Sequence, residues 1–444
     1  MKRIVFEYIP AWLLLAVFGF IVLHAPITVF VSTHWPEVAL YVKAWKELFI
    51  LISGLLIFAG CIASGYWRKI IKDRVLWAAG AFIAVHLGVL VISNGSWQSI
   101  VAGLMIDLRY VAYFVVVYIF IRQFPAYQSI FLRVGIVGAA IVIGFALLQL
   151  LLPHDFLKYL GYGPETIQPY LTVDKNYDFI RYISTLRGPN PLGAFAAMVV
   201  TAVVAFVAMR KVLELQTNRS KLLFALFAIG GPIALWVSYS RGAILGAIVS
   251  ITITLLVVYW RKVSLRMWLG VVGVLVVGIL VVYAIRDTTF FHNVVLHNNP
   301  TTGAEIDSNQ GHIDSVETGI VRTLHEPFGA GIGSTGSASL FGDDPIIIEN
   351  QFLFIAHESG WLGLLLFGIL IGLIFVKLWQ RRSDWRALAV LASGIGMLVI
   401  GVFLPVWVDD TVSIVWWGFA AVLLAGERSI KHARTTNKKA KRTT

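Results

Sequence analysis

The chain is 444 residues long, 58% hydrophobic and only 14% charged, with a mean hydropathy of +0.80. That balance excludes an ordinary soluble protein of two or three domains and calls for membrane-spanning helices. The formal net charge of +12 does not point to nucleic acid, because the basic residues are confined to short loops between apolar runs and to the tail. The single cysteine, Cys61, excludes a disulfide framework and a Cys-based metal site.

The N-terminus, MKRIVFEYIPAWLLLAVFGFIVLHAPITVF, begins like a signal peptide. Its apolar stretch is longer than a signal h-region and no small-x-small cleavage site follows, so it is expected to stay as a signal anchor, the first span. About twelve spans are expected, near 10–32, 48–67, 75–93, 100–121, 129–152, 190–209, 222–239, 242–260, 267–285, 351–376, 387–407 and 411–426. The expected fold is therefore an all-α integral membrane protein. Nine spans fill 1–285, a large polar loop 286–350, three spans 351–426, and a basic tail 427–444. No repeat of 20–50 residues and no inverted pair of broken helices is visible.

Basic residues set the orientation. With the N-terminus inside, about 26 of the 36 Lys and Arg fall on the cytoplasmic side, and about 19 of the 24 acids fall outside or within spans. Both termini are then cytoplasmic, and the stretches 153–189 and 286–350, with the Ser238–Gly242 turn, lie on the outer face. The tail HARTTNKKAKRTT has nothing to bury and is read as a disordered end near anionic headgroups.

Charges near a bilayer each need a reason. Arg241, in WVSYSRGAILGA, stands between two spans on the side where positive residues are depleted. It is either a snorkelling arginine or a fork of donors for a phosphate or pyrophosphate, and its small neighbours Ser240 and Gly242 favour the second. Arg187, in YISTLRGPNPLGAF, precedes the sixth span, where Pro189 and Pro191 fix an extended approach; it is read the same way. Arg181 either shares that anion or pairs with Asp178. Asp107 and Arg109 are two apart on a helix and cannot face each other, so each needs another partner, as in a structural intramembrane ion pair. Asp409 and Asp410 are expected to be solvated in an outer turn.

The 65-residue insert 286–350 is too long for a plain connection and is read as functional. GHIDSVETGIVRTLHEPFGAGIGSTGS reads as an amphipathic helix with Ile313, Val316, Ile320 and Leu324 on one apolar face, suited to lying on the membrane surface. Pro327 ends it. Gly329, Gly331, Gly333 and Gly336 follow and can form a backbone nest for phosphate. His292, His297, His312 and His325 lack metal spacing, so no metal site and no cofactor are expected. In IENQFLFIAHESGWLGLLLF, Glu349 lies at the membrane edge, placed to act as a general base. His357 is as readily a structural histidine as a proton carrier.

These stretches together resemble the O-antigen ligase and O-antigen polymerase (Wzy-type) family of membrane glycosyltransferases. The landmarks are TLRGPNPLG, the SRGA turn, the outer loop with HEPFGAGIGS, and ENQFLFIAHESGWLG, strongest from Arg187 to Gly363. The resemblance implies a GT-C-like membrane fold and metal-independent transfer of a glycan from a polyprenyl-pyrophosphate carrier, at the outer face of the cytoplasmic (inner) membrane. It also implies inversion at the anomeric carbon and arginines that bind the donor pyrophosphate, which match Arg187 and Arg241. The family pattern of His-Asn, nine residues, then Gly-x-x-Gly keeps its register at Asn350, Gly360 and Gly363, but Glu349 stands at the histidine position. Where many members carry an arginine at the start of the surface helix, this chain has Gly311 and His312.

The expected function is ligation or polymerisation of lipid-linked glycans, with Glu349 as base and Arg187 and Arg241 as the diphosphate clamp. Its partners are a polyprenyl-pyrophosphate-linked glycan donor, a glycan or glycolipid acceptor and membrane lipids. The rival from another class is a transporter or flippase of a lipid-linked or anionic solute, which accounts for the spans but not for arginines gathered on one face. An inactive scaffold of a polysaccharide machine is a third reading.

Overall fold

The computed structural model describes residues 3–259, 280, 283–288, 291–296, 308–342 and 345–426. The expected ninth span at 267–285 lies, but for a few residues, outside these, as do His297 and the tail 427–444.

The described chain is an all-α membrane bundle. Ten of its helices are long and apolar enough to cross a bilayer: α1 (Ile4–His34), α2 (Pro36–Ala63), α3 (Arg74–Ile92), α4 (Trp97–Gln123), α5 (Pro125–Gln149), α6 (Pro189–Ala208), α7 (Asn218–Val237), α8 (Arg241–Tyr259), α10 (Gln351–Trp379) and α11 (Trp385–Phe403). Between α8 and α10 lies α9 (Ser308–His325), and the shorter apolar α12 (Asp410–Ala425) ends the described chain. These helices fall where the hydropathy of the sequence puts spans.

Side-chain caps mark many of the helix starts. Asp73, Ser96, Thr217, Asn350, Asp384 and Asp409 each accept a backbone N–H from the first turn of α3, α4, α7, α10, α11 and α12. Such a cap satisfies donors that the helix leaves unpaired, which matters most where water is scarce. Proline opens α2, α5 and α6, where its missing N–H costs nothing.

The core is centred on α12, nearly every residue of which is buried. A short helix apolar on all sides belongs inside a bundle. Its Trp416 and Trp417 pack edge-on with centroids 5.4 Å apart, and Trp407 closes on both at 5.1 and 5.9 Å. Around it, α12 packs on α4, α8 packs on α11 and α6, and α3 on α10.

One element was not visible in the hydropathy. Within 153–189, β1 (Leu171–Val173) and β2 (Asn176–Arg181) form an antiparallel hairpin, turned by Asp174 and Lys175 at φ +45° and +58°. Positive φ at both central residues is the geometry of a tight hairpin turn. The same segment lies over the end of α1, where Leu157, Tyr162 and Ile183 bury against Val29.

Candidate functional site

Three of the arginines singled out in the sequence are placed by one piece of packing. The Ser238–Gly242 turn reverses the chain between α7 and α8, with Tyr239 in the left-handed region at φ +47° and the Ser240 amide donating to Ser238 Oγ at 3.2 Å. The turn closes directly on α6 at Gly193. A Cβ there would stand 2.7 Å from Ser238 Oγ and 2.8 Å from the Cβ atoms of Ser240 and Ala243. The absence of a side chain at Gly193 therefore sets the spacing between the TLRGPNPLG stretch, which carries Arg187, and the SRGA turn, which carries Arg241.

Arg181, at the end of β2, reaches into this junction. Its Nε donates to Ser238 O at 3.0 Å and its Nη2 to Asn190 Oδ1 at 2.7 Å. Its polar partners are thus not Asp178, the alternative left open by the sequence, but the turn itself. Burial, and then the nearby charge of Arg241, lower its pKa to about 10. Two like charges held close together make a spot that attracts an anion. Arg241 Nη1 donates to the carbonyls of Val295 and Leu296 at 3.2 and 3.1 Å, which ties the insert to the start of α8.

Arg187 is exposed, and it lines a cavity of about 420 Å³ at the insert end of the bundle. Lys43, Lys46, Arg109, Glu47 and Asp410 share this lining. Lys46 and Arg109 are buried and answered by carboxylates: Lys46 Nζ lies 3.3 Å from both Asp410 and Glu47, and Arg109 lies 3.5 Å from Glu47. Arg187 makes no hydrogen bond or ion pair with another described residue, so its fork of donors is left to the cavity. Asp410, expected in a solvated turn, is instead buried in this network, because α12 starts inside the bundle and the basic groups of α2 and α4 meet it there. Arg109 finds the separate partners its spacing from Asp107 requires.

Glu349 sits just before α10. Its carboxylate meets Nδ1 of His312, on the first turns of α9. Its backbone N–H donates to Ser315 Oγ at 2.7 Å, and that hydroxyl donates to Ile347 O at 3.1 Å. Asn350 caps α10 by accepting from Phe352 and Leu353 at 2.9 and 3.0 Å, and its amide donates to Val402 O at 2.9 Å. Asn350 is thus a structural joint between α10 and the end of α11. His357 is fully buried, its Nδ1 3.2 Å from the Glu326 carboxylate.

The glycine turn proves to hold one of the chain's own carboxyl groups. The amides of Gly333 and Thr335 donate to the two carboxyl oxygens of Glu358 at 3.1 and 3.2 Å. Glu358 in turn hydrogen-bonds Asp107. The nest that the spacing of Gly329 to Gly336 offered to a phosphate is therefore filled by the chain's own carboxyl group, which pins the turn against α4 and α10.

The cavity takes in Arg187 but neither Arg241 nor Glu349. The segment 402–410 meets Arg187 across the cavity, and meets the chain neighbours of the other two. Gly242 packs 3.5 Å from Phe403, Asn350 bonds Val402, and Val408 and Asp410 line the cavity of Arg187. Lys43 and Lys46 were missed in the sequence, although they carry the signal that singled out Arg241: positive charge beside a span on the side where such charge is depleted. Among the described residues no three or more His, Cys, Asp or Glu gather as a metal site.

Residues 222–368, a third of the chain, match the family model described as O-antigen ligase. The match runs from α7 through the SRGA turn, the insert and the Glu349–Gly363 stretch, so the motifs behind the resemblance fall inside it, except TLRGPNPLG. Over these residues the chain is similar to the O-antigen ligases. No curated protein matches the chain.

Proposed function

We propose that the protein transfers a glycan from a polyprenyl-pyrophosphate carrier to an acceptor hydroxyl at the outer face of the cytoplasmic membrane. Both termini then lie in the cytoplasm and the insert end of the bundle faces outward. The acceptor oxygen attacks the anomeric carbon and the bond from that carbon to the diphosphate oxygen breaks. The electron pair leaves with the diphosphate, and the hydroxyl proton departs to the His312–Glu349 pair. Arg187 and Arg241 stabilise the leaving charge, with Arg181 adding to the field.

The observation that carries this reading is the exposed guanidinium of Arg187, which has no hydrogen bond or ion pair among the described residues. An exposed arginine lining a cavity whose buried cations, Lys46 and Arg109, are already paired with carboxylates is poised for an anionic ligand. The test is transfer of a labelled glycan between lipid carrier and acceptor in reconstituted vesicles. Arg187→Ala and Glu349→Ala should each lower product at least ~10²-fold while the protein remains folded. Solute flux without bond formation would replace the enzyme by a transporter, and full transfer by Arg187→Ala would remove the diphosphate site.

A further inference from the structure

The insert helix α9 is clamped along the start of α10 at both ends by a histidine–carboxylate pair, and the pairs are reciprocal. At one end α9 supplies the imidazole, His312, to Glu349. At the other the carboxylate comes from Glu326, just after α9, and the imidazole is His357 of α10, 3.2 Å away. Between them Ser315 binds the Glu349 amide, Gly319 packs on Ile348 and Leu353, and Thr323 O accepts Trp361 Nε1 at 3.0 Å. The two pairs differ in what they can do. His357 is wholly buried, whereas the side chains of His312 and Glu349 are 36% and 37% exposed. The imidazole of one pair is closed off inside the bundle; that of the other is open to a substrate.

We propose that His312 is the catalytic base of this enzyme and that Glu349 is the residue that positions it. The inference rests on the glycosyl-transfer reading above. Nδ1 faces the Glu349 carboxylate, which can only accept, so the neutral imidazole carries its proton on Nδ1 and keeps the Nε2 lone pair for the acceptor hydroxyl. As the acceptor oxygen bonds to the anomeric carbon, its proton passes to Nε2, and the imidazolium so formed is balanced by the Glu349 carboxylate. The electron pair of the broken bond leaves on the diphosphate. A histidine therefore serves as base although a carboxylate occupies the position before Asn350, because α9 brings the imidazole in from the side. Ser315, one turn on, holds the Glu349 backbone and so keeps the pair in register.

Chemical rescue separates the two roles. In vesicles where the wild-type protein transfers glycan, His312→Ala and His312→Gln should lose ~10²–10⁴-fold in kcat, with the KM for donor nearly unchanged. Free imidazole should restore turnover to His312→Ala, and formate should not. Glu349→Ala should fall as well and respond to neither. The Gln variant can still donate to Glu349, so its docking holds and its loss reports proton transfer alone. Near wild-type turnover in His312→Gln, or rescue of Glu349→Ala by formate, would overturn the proposal and make Glu349 the base. No transfer by the wild-type protein would instead overturn the function on which the proposal rests.

Discussion

Replacing Gly333 by alanine should release the glycine turn from the bundle. Gly333 has φ +80°, which costs a residue with a Cβ about 1–2 kcal/mol. The added Cβ would also lie 2.6 Å from the carbonyl carbon of Ser99, a backbone atom that cannot swing aside. Relieving that overlap by moving the turn breaks two bonds. Ser99 Oγ donates to Gly333 O at 2.6 Å, and Gly333 N donates to Glu358 at 3.1 Å. Together these contribute about 2–3 kcal/mol. The sum, about 3–5 kcal/mol, should raise the undocked population of the turn ~10²–10⁴-fold. The opening is local, so the assay is limited proteolysis of the 326–342 region in detergent, alongside the global melting temperature. Gly311→Ala is the control: nothing lies within 4 Å of its Cβ position, and within α9 alanine should gain about 0.5–1 kcal/mol. Cleavage of Gly333→Ala at the wild-type rate would refute the claim that this contact holds the insert down.

Two other substitutions probe the bundle. Gly193→Ala should force the SRGA turn off α6, costing about 1–3 kcal/mol by overpacking and lowering transfer more than tenfold, because Arg241 moves relative to Arg187; melting temperature and kcat measured together check this. Asp73 accepts from Tyr118 at 2.9 Å, Lys377 at 3.1 Å and the Val75 amide at 3.0 Å, and it pairs with Arg122. Burial raises its pKa, but Lys377, Tyr118 and the amide outweigh burial and hold it below the usual value. A depressed carboxylate contributes stability that is present above its unfolded pKa, about 3.9, and is lost as pH falls through the folded value. Asp73→Asn should therefore cost about 2–3 kcal/mol near neutral pH, and the gap from wild type in thermal melts should narrow on acidification below ~4. A gap that widens there would contradict the assignment.

The bundle was legible because each span is an apolar run about a bilayer thick, and because Asp, Asn, Ser or Thr caps many of the runs. The site was legible only in part. Arg187 and Arg241 stood out as positive charges on the wrong side for loops, but nothing in sequence spacing shows that Gly193 packs one motif against the other. The α9 helix was read correctly as a helix, with Ile313, Val316, Ile320 and Leu324 on one face. Of these Val316 is half-buried and the other three are exposed, and the face docked on α10 is Ser315, Gly319 and Thr323. Hydropathy points to the face that prefers an apolar surrounding, and a membrane offers that outside the protein. Close helix contact in such a setting uses small and hydroxyl side chains instead. The glycine turn misled for a related reason: a nest of amides announces an acceptor, but not that the acceptor is the carboxyl group of Glu358, some 25 residues further on.

The insert also closes the cavity of Arg187, since Ser337 and Phe341 form part of its wall. Phe341 O accepts from Ser96 and Gly333 O from Ser99, so that wall hangs from the start of α4 by the same turn that Gly333 secures. The pair His312–Glu349, the wall at Ser337–Phe341 and the pinned turn are thus one continuous stretch of chain. Loosening any part should disturb both the proton-accepting end and the anion cavity. Gly333→Ala should accordingly lose transfer in parallel with its gain in protease sensitivity. Full transfer by a demonstrably undocked insert would show that the cavity wall is dispensable, and the site would then have to be sought among Arg181, Arg241 and the SRGA turn alone.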